Sequence, residues 1–186
     1  MLERFKVKED EAIRVQAEPL RRTVTAIFEK MNVPSEDARL AADVLVASDL
    51  RGVDSHGVSN MLRSYINNYN SGLYNPRPNV RIVREAASAA TVDSDGGLGI
   101  IVTPRAMEIA IRKAEQTGVG MVTVLNGRHL GMAAYHAMMA LEHDMIGVCM
   151  TSTRPSVLPT FGREERLGTN PIAIAAPAKE EPPFVL

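Results

Sequence analysis

Two histidines sit where this chain can expose proton-transfer chemistry. His56 lies in RGVDSHGV, residues 51–58, at the joint between two helical patterns. The free N–H groups and the positive dipole end of the following helix disfavour an imidazolium. The ring is therefore expected to be neutral near pH 7, able to accept a proton or donate a hydrogen bond. Asp54 and Ser55 have side chains that cap the same helix end, and a plain capping turn with an exposed histidine also accounts for DSHG. His129 lies in NGRHLGMAAYH, residues 126–136, where an apolar strand pattern passes into a helix. Ligands gather at the carboxyl ends of strands in open sheets. Arg128 beside it suits an anion, with a solvated arginine and a loop histidine as the alternative.

Other polar constellations carry less. His129, His136 and His143 are spaced seven apart, which on one helix is about 10 Å of rise, too far for a single ion with bonds of about 2 Å. No metal site is expected, and His136 and His143 read as ordinary helix-face residues. DSDGGLG, residues 93–99, is neither GxGxxG nor GxxxxGK; its glycines read as a turn rather than a phosphate cradle. Thr151, Ser152 and Thr153 follow a strand pattern and offer hydroxyls to a ribose or phosphate, or simply to water. Cys149, the single cysteine, falls inside that strand and reads as a buried structural thiol.

The elements that position these residues follow from periodicity. Residues 1–18 form a charged arm, and a helix starts at Pro19, with Leu20, Val24, Ile27 and Phe28 on one face. Ser35 caps a second helix bearing Leu40, Val44, Leu45 and Ala47, stopped by Gly52. A third runs from Val58 to Tyr69, with Gly72 past its end. YNPRP, residues 74–78, is a stiff linker and the candidate domain boundary. Strand patterns follow at 80–83 and 90–92, then a helix from Thr103 to Gly118, a buried strand at 119–125, a helix over 131–144, and strands at 145–153 and 170–177. Phe184, Val185 and Leu186 look like a further strand just beginning. The division is an arm over 1–18, a helical domain over 19–75 and an α/β domain over 76–186, which is α+β overall.

Composition removes several function classes. Net charge is −1, which argues against nucleic acid or a polybasic membrane partner. Aromatics are 4% with no Trp, so a base-stacking platform is not expected. No run approaches 18 apolar residues, and the N-terminal residues lack a signal-peptide core. One cysteine fits a reducing compartment, and a cytoplasmic protein is expected.

Four motifs occur in one order: RGVDSHGV, DSDGGLG, GVGMVTVLNGRHLGMAAYHA and RLGTNPIAIAAP. Together they resemble the malate/L-lactate dehydrogenase family of the sulfolactate dehydrogenase-like type, over residues 19–186. The resemblance implies a non-Rossmann fold, with a helical domain and a mixed, largely antiparallel sheet domain, incomplete at the C-terminus. It implies hydride transfer between NAD or NADP and a 2-hydroxy or 2-oxo acid, in a homodimer with the site near the subunit interface. It makes His129 the acid/base, His56 the substrate orienter or alternate acid, and Thr153, Asn170 and Ser55 cofactor contacts. Many members carry arginine four residues after the SHG histidine to grip the substrate carboxylate. Here Asn60 stands there, with Arg63 one turn on and Arg128 as a further anion partner. Members also continue beyond PFVL with cofactor-binding segments. The alternative reading is a truncated, non-catalytic relative that dimerises or binds.

Overall fold

The computed structural model describes residues 13–186; residues 1–12 of the expected arm lie outside them. Helix α1 (Ala17–Lys30) starts two residues before Pro19, which sits comfortably in the first turn, where no intrahelical N–H bond is required. Helix α2 (Ser35–Leu50) begins on Ser35 itself; Pro34 takes the cap position and the Ser35 side chain makes no capping bond. Helix α2 is the hub of the fold, touched by α1 and by later helices. Ala38, Ala41, Ala42, Val44, Leu45 and Val46 are all buried, so burial surrounds most of the helix rather than a single stripe. Gly52 ends it in the left-handed region, φ 69°. A 3₁₀ turn, Asp54–His56, then leads into α3 (Val58–Asn70).

The sheet part holds two small sheets. In the first, β1 (Arg81–Glu85) pairs antiparallel with β2 (Ala89–Asp93), and β2 pairs parallel with β3 (Met121–Leu125). Helix α4 (Gly99–Thr117) is the crossover between β2 and β3. It starts four residues earlier than the sequence suggests and takes Pro104 inside. The extra turn buries Ile100, Ile101 and Val102 with Leu98, which offsets the backbone bond that Pro104 cannot make. Strand β3 is not buried as expected: it is an edge, with Met121 and Leu125 exposed.

In the second sheet, β4 (Gly147–Met150), β5 (Ile172–Ala176) and β6 (Phe184–Val185) are antiparallel. Three of the four strand pairings are thus antiparallel, which agrees with the mixed α+β reading. Helix α5 (Ala133–Met138) packs Ala133 and Ala137 on Cys149, Ala173 and Ala175. It gives way to a 3₁₀ segment, Met139–His143, instead of running on to residue 144. Close approach explains the small residues here: a Cβ on Gly147 would fall 1.9 Å from the Ala137 carbonyl oxygen. One apolar core joins the helices to the start of α4, and Tyr74 of the expected linker is buried in it with Tyr65 and Tyr69.

Candidate active site

The 3₁₀ turn and the loop between β3 and α5 place His56 and His129 face to face. Their rings stack with centroids 5.5 Å apart and planes 14° apart, although 73 positions separate the two residues in sequence. His56 is held from below: Gly57 follows it against the Asp49 carboxylate, where a Cβ would lie 1.7 Å from an oxygen. The Val58 N–H donates to that carboxylate at 3.0 Å, so Asp49 of α2 caps α3 from outside. Ser55 Oγ lies 2.9 Å from His56 Nδ1. Asn60 donates its amide N–H to the Asp54 carbonyl at 2.7 Å, closing the same turn.

His129 rests on a bed made by DSDGGLG. Ser94 donates to the Asn126 carbonyl at 2.8 Å, and Asn126 donates to the Asp93 carboxylate at 2.9 Å. A Cβ on Gly99 would stand 2.3 Å from the Arg128 carbonyl oxygen and 2.7 Å from the His129 carbonyl group, so only glycine lets the loop settle on the α4 start. Gly131 turns the chain at φ 74°, over Ile100. The glycines expected to form a turn therefore do so, and they also seat the histidine loop.

The anchor beneath is His136. It is fully buried, and its Nε2–H donates to the Leu130 carbonyl at 2.7 Å. It is not the ordinary helix-face residue that spacing suggests: it ties α5 to the residue beside His129. Burial pushes its pKa down to about 4, so the ring is neutral and Nδ1 is an acceptor without a partner. His143 instead stands 3.2 Å from Glu115. Among the described residues no group of three or more His, Cys, Asp or Glu is placed to hold a metal ion.

Tyr65 of α3 is the partner that sequence reasoning missed. Its Oη lies 2.7 Å from His129 Nδ1, and the Gly131 N–H approaches the same nitrogen at 3.3 Å. The phenol is completely buried, which raises its pKa and keeps it protonated. Sixty-four positions separate the two, and a tyrosine on an apolar helix face gives no local signal of such a bond.

Both histidines are biased to the neutral form. Burial lowers the pKa of His56, so the direction expected from the helix end holds while its main cause is desolvation. Burial lowers His129 too, helped by the charge that His56 would carry. Two imidazoliums stacked this closely repel, so the pair takes up protons one at a time.

The remaining candidates divide. Arg128 turns away, its Nε–H donating to the Leu73 carbonyl at 3.2 Å. Arg63 is exposed on α3. Thr153 and Asn170 meet across the loop between β4 and β5: the Thr153 N–H donates to Asn170 Oδ1 at 3.0 Å, and the Thr169 N–H donates to Thr153 Oγ1 at 2.9 Å. Their hydrogen bonds run to one another and to Thr169 rather than to the histidine pair. Cys149 is buried, its thiol pushed up to about 11, so it is inert at neutral pH.

A family profile described as malate/L-lactate dehydrogenase matches residues 15–186. Malate dehydrogenase of Pyrococcus horikoshii is 49% identical over 170 residues, covering 91% of this chain and 47% of that protein. L-sulfolactate dehydrogenase of Methanocaldococcus jannaschii is 44% identical over 155 residues, covering 83% of this chain and 45% of its own length. The solved structure of the Pyrococcus horikoshii malate dehydrogenase superposes with a TM-score of 0.92 at 47% identity, over 100% of this chain and 53% of the other. The chain thus spans about half the length of the relatives it matches. A helical start that cradles one histidine, a non-Rossmann sheet part that carries the other, and a profile match across nearly every described residue lead to one conclusion: the chain belongs to the malate/L-lactate dehydrogenase family.

Proposed function

We propose that this chain belongs to an oxidoreductase that moves a hydride between NAD or NADP and a small 2-hydroxy or 2-oxo acid, with His129 handling the hydroxyl proton. The observation that carries the reading is the stacked His56–His129 pair, 5.5 Å apart and biased to neutrality. A group that must exchange a proton near pH 7 works best when its own pKa lies near that pH, and a neutral imidazole is ready to accept one. The names of the relatives, malate and L-sulfolactate dehydrogenase, support an acid bearing a 2-hydroxyl as substrate.

The nicotinamide supplies or accepts the hydride when bound; the protein residues do the rest. His129 exchanges a proton with the substrate oxygen at Nε2, which has no partner among the described residues. His56, with Ser55 at its Nδ1, orients the substrate from the opposite ring face. Asn60 and Arg63 lie one and two turns along α3 and guide the carboxylate, Asn60 by holding the turn. Arg128, engaged with Leu73, contributes positive charge at the rim. For the cofactor, an exposed cluster of hydroxyl and amide groups fits the hydroxyls and carboxamide of a dinucleotide. Thr153 and Asn170 form such a cluster, and the Asn170 NH2 group has no partner among the described residues. A homodimer is the assembly we propose.

The test is a fluorescence titration of the chain with NADH and NADPH, followed by oxidation of the bound nucleotide with 2-oxo acids. Saturable binding and acid-dependent oxidation are expected. A folded chain that binds neither nucleotide would overturn the cofactor assignment. Binding without oxidation by any 2-oxo acid would favour the non-catalytic relative.

A further inference from the structure

We infer that Tyr65 is the positioning residue that holds neutral His129 with its proton on Nε2, so that the ring presents a donor to a substrate carbonyl oxygen. The inference rests on the oxidoreductase reading for its purpose, and on geometry alone for its substance. Two groups converge on Nδ1. The Gly131 N–H at 3.3 Å is a backbone donor and has no other role to offer. Tyr65 Oη at 2.7 Å can donate or accept. With Gly131 pointing a hydrogen at Nδ1, that nitrogen must keep its lone pair, and the Tyr65 hydroxyl completes the arrangement by donating. The proton of neutral His129 is then on Nε2.

The surroundings hold Tyr65 in this duty. It is fully buried, packed beside Tyr74 at 6.2 Å between ring centroids. The titratable groups that face the His129 ring are Tyr65 from α3 and His56 from the 3₁₀ turn, while the Arg128 guanidinium is drawn off to Leu73. Burial and the neighbouring His56 bias the ring to the neutral form.

The consequence is a gate on the proton. In reduction of a 2-oxo acid, hydride from the reduced nicotinamide forms the new C–H bond and the C=O π pair moves to oxygen. That oxygen takes the Nε2 proton of a His129 imidazolium. The imidazole left behind carries its proton on Nδ1, where Gly131 provides no acceptor and only the Tyr65 oxygen can receive it. The Tyr65 hydroxyl must therefore turn from donor to acceptor in every cycle. In the oxidation of a hydroxy acid the same states run in reverse: Nε2 is free to take the hydroxyl proton only after Tyr65 has turned.

The test is ¹⁵N NMR of the imidazole nitrogens in the 186-residue chain, wild type, Tyr65→Phe and Tyr69→Phe. For wild-type His129 above its pKa, Nδ1 is expected at a pyridine-like shift and Nε2 at a pyrrole-like shift. In Tyr65→Phe Nδ1 moves toward the mixed-tautomer average, because one of its two donors is gone. Tyr69→Phe, which alters a neighbouring buried phenol, leaves the His129 resonances in place. A pyrrole-like Nδ1 in the wild type, or a Tyr65→Phe spectrum identical to it, overturns the inference whether or not the chain turns over. The NMR behaviour as stated, with no oxo-acid-dependent oxidation, removes the oxidoreductase reading and leaves the Tyr65 assignment standing.

Discussion

Histidines buried without charge make a protein acid-sensitive, and His136 is such a residue. Its folded pKa of about 4 lies below the unfolded value of 6.5. The unfolded chain therefore binds more protons between those values. The contribution to stability is complete above pH 6.5 and is lost as pH falls toward 4, by about 3 kcal/mol in all. Urea unfolding at pH 7.5 and pH 5 is expected to show this loss in the wild type and a smaller one in His136→Gln; equal losses would refute it. The two tyrosines with contrasting partners make a second prediction. Tyr69 Oη is buried and unpaired, so Tyr69→Phe leaves stability unchanged or raised. Tyr135 donates to the Asp43 carboxylate at 2.8 Å, so Tyr135→Phe costs about 1 kcal/mol. Thermal unfolding that ranks the two variants the other way would contradict the hydrogen-bond assignment. At this scale, sequence reading finds residues whose chemistry is intrinsic: His56 and His129 stand out by type and by their place at element ends. Tyr65 and His136 do not, because their roles come from partners brought in by folding.

The glycines decide how elements meet. Gly99 begins α4 directly under the His129 loop, with no room for a Cβ against the Arg128 and His129 backbone. Gly99→Ala is expected to destabilise the chain by about 1–3 kcal/mol, and to broaden or shift the His129 resonances because the loop must lift. Gly127→Ala, with only a methyl group of Val124 at 3.5 Å, is expected to be mild and serves as the control. If both variants unfold alike, close packing is not what fixes Gly99. Boundaries set by local chemistry were legible: Gly52 and Gly72 past helix ends, and α3 starting at Val58. Boundaries set by tertiary burial were not. Helix α4 takes Pro104 inside because Leu98 and Ile100 gain a core that no local pattern announces. The α5 pattern tightens into 3₁₀ geometry at Met139 for the sake of the Gly147 contact and the turn into β4.

Across the whole molecule, the two small sheets leave apolar residues outside. Met121 and Leu125 on the first sheet, and Val148, Met150, Ile172 and Phe184 on the second, are exposed in this chain. Contiguous apolar surface drives association. Sedimentation is expected to show concentration-dependent self-association of the chain, reduced in the double variant Met150→Lys, Ile172→Lys; a monomer at every concentration would contradict this. The α+β class was legible because helical periodicity gives way to short strand patterns after residue 78. The exposure of β3 was not, since an apolar run reads the same in a core and at an edge. The candidate site was half legible: the two histidines proposed for it stand out in sequence, while their stacking across 73 positions needed the fold. The measurement that tests the account most directly is the rate of NADH or NADPH oxidation with 2-oxo acids by the wild type and by His129→Gln. Oxidation that depends on the 2-oxo acid and falls by about 10²-fold or more in the variant is expected. Equal rates in the two proteins would contradict it.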